Sequence, residues 1–84
     1  MTRPPSTRAA ISDGVIRAHV RHALHDHPTT ADSDIHVDTL ANVVELSGFV
    51  ETTTVRDEAL ALARNVEGVR QVNDSMDIRR LDRP

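Results

Sequence analysis

Val43-Val44-Glu45-Leu46-Ser47-Gly48-Phe49-Val50 sends Val44, Leu46 and Val50 to one side and Val43, Ser47 and Phe49 to the other. That period of two belongs to a strand, and the Val-rich composition suits extended backbone. Just upstream, Ile35 and Val37 alternate with Asp34, His36 and Asp38, the pattern of a second, half-buried strand. Leu40-Ala41-Asn42 lies between the two and turns the chain, so the pair reads as a β-hairpin.

Helical periodicity flanks the hairpin on both sides. Before it, Ser12 and Asp13 offer N-cap chemistry, and Ile16, Val20 and Leu24 recur at i, i+4 and i+8 with Ala23 alongside, one apolar stripe of a helix. Pro28 stops that helix, because the residue before a proline is pushed away from helical backbone, so its span is Ser12 to about Asp26. Thr29 to Ser33 is a loop. After the hairpin, Thr52 or Thr53 caps a second helix whose stripe is Val55, Ala59, Leu62, Ala63 and Val66. Gly68 stands where a helix C-terminus favours a left-handed residue. Val69 to Ile78 then places Val72, Met76 and Ile78 on one face of a last strand.

The order is helix, strand, strand, helix, strand. We expect an α+β two-layer sandwich, αββαβ, with two helices packed on one face of a three-stranded mixed sheet and a right-handed crossover through the second helix. Residues 11–80 form the domain. Residues 1–10, rich in Pro, Ser, Thr and Arg without periodicity, read as a disordered arm, and residues 81–84 as a disordered tail.

With 84 residues there is room for one core. The chain has no Cys, which removes disulfides, thiol catalysis and thiolate metal sites. Net charge is −3, so no global basic field exists for nucleic acid, and a single aromatic residue, Phe49, provides no stacking platform. We expect no nucleic-acid partner. All 10 basic residues are Arg, whose planar fork suits phosphate or carboxylate. No apolar run approaches the roughly 20 residues of a membrane span, and no export signal is visible. As written the chain reads as cytoplasmic, or as periplasmic if it is a fragment of an exported protein.

Val44-Glu45-Leu46-Ser47-Gly48-Phe49-Val50, then a helix, then Val66-Glu67-Gly68-Val69-Arg70-Gln71-Val72-Asn73-Asp74-Ser75-Met76-Asp77-Ile78, resembles the BON pattern V-x-L-x-G-x-V, helix, V-x-G-V-x-x-V-x-N-x-L-x-V. With the first helix included, the resemblance covers residues 12 to 79. It departs at Asp74, where the family usually has Asn, and at Met76, where Leu is usual. The two glycines it marks read as structural: Gly48 as a bulge or a close approach of the first helix to the sheet, Gly68 as a cap. The resemblance implies a non-enzymatic module of bacterial envelope or osmotic stress, with anionic phospholipid as an expected partner, no cofactor, and the first helix as the expected contact. A cytoplasmic potassium-binding relative makes cation sensing an alternative, in which backbone carbonyls would form the site.

Several residue sets are candidates for contact. Arg17, Arg21 and His25 recur at i, i+4 and i+8, about 100° round the helix from the Ile16 stripe; they form either a lipid-binding basic row or an ordinary solvated face in which Asp13 pairs with Arg17. No Trp or Leu is placed in the sequence to insert beside the row. His19, His22, His25, His27 and His36 crowd the first half. His19 with His22, or His22 with His25, could join Asp26 to hold zinc or nickel, but they lack an HExxH or comparable spacing, and exposed helical histidines are the simpler reading; a milder functional one is acid-strengthened anion binding. We expect no metal. Asp34, His36 and Asp38 read as a hydrophilic strand face, not a calcium loop. Val43 and Phe49, on the face of the hairpin opposite Leu46, form an exposed apolar pair open to self-association or a protein partner, or else Phe49 folds over the sheet edge against the loop before the first helix or onto the N-terminal arm. No nucleophile elbow or Gly-rich phosphate loop is present, and we expect no enzymatic activity.

Overall fold

The computed structural model describes residues 11–79, so the disordered arm and tail expected at residues 1–10 and 81–84 lie outside the described residues. Five elements follow in the expected order: α1 (Asp13–Asp26), β1 (Asp34–Leu40), β2 (Val43–Val50), α2 (Thr53–Arg64) and β3 (Gln71–Ile78). The sheet runs β1-β2-β3. β1 and β2 are antiparallel and β2 and β3 parallel, which makes the sheet mixed and β2 its centre.

The strand register sorts every side chain. Val37 stands opposite Leu46, Thr39 opposite Val44, and Val44 beside Val72, so these residues share the face that the helices cover. On that face Val44 and Leu46 are fully buried, Val50 and Val37 nearly so, and Met76 closes the β3 side. From α1 come Ile16, Val20 and Leu24, and from α2 come Ala59 and Ala63. The small α2 residues let the helices approach while Val55, Leu62 and Val66 seal the margin. Both helices begin as expected: Ser12 Oγ accepts the Val15 N–H and Thr52 Oγ1 accepts the Val55 N–H, each satisfying a donor left orphan at a helix start.

Three expectations need correction. Gly68 is not the cap of α2. The helix ends at Arg64, and Asn65 closes it in right-handed backbone. Gly68, at φ 96°, serves the following turn, where the Val69 N–H reaches the Val66 carbonyl. It also brings its backbone against α1, since a Cβ there would lie 3.1 Å from Ile16 Cδ1. Gly48 lies in unbroken register with Ile35, so there is no bulge, and its neighbour is not the first helix. At φ 114° its missing side chain points straight at the Asp34 backbone carbonyl. The hairpin turn is Ala41-Asn42 alone, because Leu40 still pairs with Val43. Both turn residues have positive φ, 52° and 67°, which suits the twist of a two-residue hairpin.

The exit from α1 has a polar keystone that the loop reading missed. Leu24 would give its carbonyl to the N–H four residues on, but that residue is Pro28, which has none. The Thr30 hydroxyl donates to it instead, at 2.5 Å, and Thr30 is buried. Thr30→Val removes that donor and strands a buried carbonyl, so we expect a loss of about 1–3 kcal/mol. Thermal unfolding checks this: Thr30→Val melts well below the parent and Thr30→Ser close to it.

Candidate functional site

The first helix turns its outer face to solvent because its inner stripe is spent on the core. Arg17, Arg21 and His25 are all exposed along that outer face, as their spacing predicts. Asp13 does not pair with Arg17. Its carboxylate oxygens accept the Ala41 and Asn42 backbone N–H groups, each at 3.0 Å. The hairpin turn therefore consumes the one acid at the start of the helix, and among the described residues Arg17 and Arg21 have no carboxylate within salt-bridge distance.

Beside this row α1 and β1 frame an open groove of about 470 Å³. Arg21, His22 and His25 stand on its rim, and Leu24, Ile35 and Val37 lie below. The arrangement sets one arginine and two imidazoles above an apolar floor.

The opposite surface has the other sign. The uncovered sheet face carries Asp34, Asp38, Glu45 and Asp77, all exposed, with His36, Asn73 and Ser75 among them. Glu45 Oε2 accepts from Ser75 Oγ at 2.8 Å. The sheet face is thus predominantly acidic, whereas the helix side mixes Arg17, Arg21, Arg56 and Arg64 with Asp13, Asp26, Asp57 and Glu58.

Val43 and Phe49 do not form an apolar pair. They sit on one strand with Glu45 and Ser47 between them on the same face, roughly 20 Å apart at strand rise. The cross-strand neighbour of Val43 is Leu40. Phe49 lies under the Arg79 guanidinium, 4.4 Å from its ring centroid, a cation–π contact. Together with Pro28 and Val55 it lines a cavity at the far end of the sheet, so it does not pack with Val43, and its ring stays partly exposed beside Arg79.

The histidines are scattered. His19, His22 and His25 are exposed on α1, and His36 is on the sheet face. His27 is engaged elsewhere, its Nδ1 accepting the Thr29 N–H and its Nε2 standing 3.3 Å from Glu58 Oε2 on α2. Among the described residues no three His, Asp or Glu side chains gather as metal ligands, and no helix is long and apolar enough to cross a membrane. At Asp74, where the resemblance expects Asn, Oδ1 accepts the Met76 N–H at 3.0 Å, as an amide oxygen would. The added charge faces Arg56 Nε at 3.7 Å.

Comparison with known proteins returns a family model, "BON domain", over residues 12–80. "Osmotically-inducible protein Y" of Escherichia coli (strain K12) is 44% identical over 69 residues, which is 82% of this chain and 34% of that protein. The chain spans about a third of the length of that relative.

Proposed function

The chain belongs to the BON domain family, and on that premise we propose that it is a non-enzymatic binding domain of osmotic stress that docks on anionic phospholipid through the outer face of α1. The observation that carries this reading is the exposed Arg17, Arg21, His25 row, relieved of Asp13 by the hairpin turn. The acidic sheet face on the other side orients the approach, since it is repelled by the surface that attracts the helix. The stress context rests on the name of the relative, which is said of that whole protein.

Affinity through so few cations is modest. Each basic side chain near an anionic leaflet contributes about 1 kcal/mol, and salt screens it within roughly 8–10 Å. Co-sedimentation with phosphatidylglycerol vesicles and with phosphatidylcholine vesicles, at low and at physiological salt, tests the reading. We expect binding to the anionic vesicles only, weakened by salt. Equal binding to both, or none to either, contradicts it.

A further inference from the structure

The hairpin end of the molecule carries features that the helix row does not use. Leu40 is 78% exposed, the barest of the large apolar side chains among the described residues, and Val15, on the first turn of α1, is 44% exposed. The turn beyond Leu40 is held in place from two sides. Asp13 grips both of its N–H groups, Asn42 Nδ2 donates to the Gly68 carbonyl at 2.9 Å, and the Arg70 N–H donates to the Asn42 carbonyl at 2.8 Å. Ala41 is kept in left-handed backbone, which disfavours an alanine. Packing explains none of this exposure, because Leu40 gains nothing by standing in water at a rigid tip.

The same bonds bring the C-terminal end of α2 and the start of β3 to this end. Arg64 and Arg70 are exposed there, flanking one shallow groove with Val69 and Val72, and Arg17 lies one helical turn from Asp13. Glu67 is the exposed acid among them, with Asp38 and Glu45 one row behind Leu40 on the sheet face. The far end is acidic on balance: Asp32, Asp34 and Glu51 line the cavity around Phe49 with Arg79 as its cation, and Asp77 stands beside Phe49 in register. Arginines are therefore matched by acids at the hairpin end, while at the far end the acids outnumber Arg79.

We propose that the hairpin end is a membrane-inserting tip: Leu40 enters the interfacial layer of an anionic bilayer while Arg17, Arg64 and Arg70 contact lipid phosphates. This rests on the lipid reading above and decides how the domain sits. Along α1, at 1.5 Å per residue, Arg17 is about 6 Å from Asp13 and His25 about 18 Å. With the tip down, Arg17 is the member of the row nearest the surface and His25 the farthest, so the row meets the leaflet from its Arg17 end. Asp38 and Glu45 tilt the domain toward its helix side, and the acidic far end points into solvent. An apolar side chain between arginines is the arrangement by which interfacial segments hold to anionic lipid.

The chain has no Trp and no Tyr, so Leu40→Trp and His25→Trp each install a single reporter. With phosphatidylglycerol vesicles we expect a blue shift for Leu40→Trp and little for His25→Trp. Leu40→Ser should weaken partitioning about tenfold, the size expected from one buried leucine, with an unchanged melting temperature because Leu40 is outside the core. Arg64→Glu with Arg70→Glu should weaken it likewise. Wild-type binding that Leu40→Ser and the Arg64, Arg70 double variant both retain, or a blue shift at His25→Trp alone, overturns the tip and leaves the lipid reading standing. No wild-type binding to anionic vesicles overturns both.

Discussion

Gly48→Ala is expected to cost the domain at least about 3 kcal/mol, the range reached when a side chain is forced into disallowed backbone against an immovable neighbour. Two independent penalties act at this position. An alanine at φ 114° is strained whatever surrounds it, and its Cβ would drive into the Asp34 carbonyl of β1. Neither partner can yield, because Gly48 is in the central strand, paired with Ile35 on one side and Met76 on the other. For a domain of this size the loss corresponds to a melting temperature lower by roughly 15 °C or more. Gly14→Ala is the matched control. Nothing lies within 4 Å of a Cβ at that helical position, so the same substitution should be neutral or stabilise by up to about 1 kcal/mol. Equal melting temperatures for the two variants would contradict the account of Gly48.

Most of the fold was legible because it is periodic. The Ile16, Val20, Leu24 stripe and the alternation of β2 each repeat often enough to declare one buried face, and the register buries those residues. What was not legible depends on partners distant in the chain. Gly48 announces that something comes close, but only the pairing of β1 with β2 reveals the Asp34 carbonyl. The Thr30 hydroxyl has its role because Pro28 cannot donate, a missing N–H that matters only once the loop folds back under Leu24. Gly68 was misread because the apolar stripe of α2 continues to Val66 beyond the last helical residue, Arg64.

The site divides the same way. Spacing alone put Arg17, Arg21 and His25 on one exposed row. That Asp13 is withdrawn from the row could not be read, since its hydrogen bonds span 28 and 29 residues to the hairpin turn. Leu40 looked like a turn residue, and its exposure follows from the rigid two-residue turn beyond it. Val43 and Phe49 looked like neighbours on one face, but strand rise separates them and Arg79 stacks on the ring.

The second large effect is on binding. Arg17→Glu with Arg21→Glu replaces two attractions to an anionic leaflet by two repulsions. At about 1 kcal/mol per charge near the surface, and with each reversal counted as attraction lost and repulsion gained, the change is roughly 3–4 kcal/mol, a loss of a hundredfold or more at low salt. Both side chains are exposed and make no ion pair among the described residues, so the fold should not suffer. Reversal at the far end of the open sheet face, at Asp34 or Asp77, should act the opposite way, because those carboxylates repel the leaflet and stand away from the Leu40 tip.

The most direct measurement is therefore the partition coefficient of wild type and of the Arg17→Glu, Arg21→Glu variant on phosphatidylglycerol vesicles at low salt, with melting curves of both. The account predicts that the wild type binds, that the variant loses at least a hundredfold, and that the two melt together. A variant that melts like the wild type and binds as tightly would contradict the assignment of the α1 face.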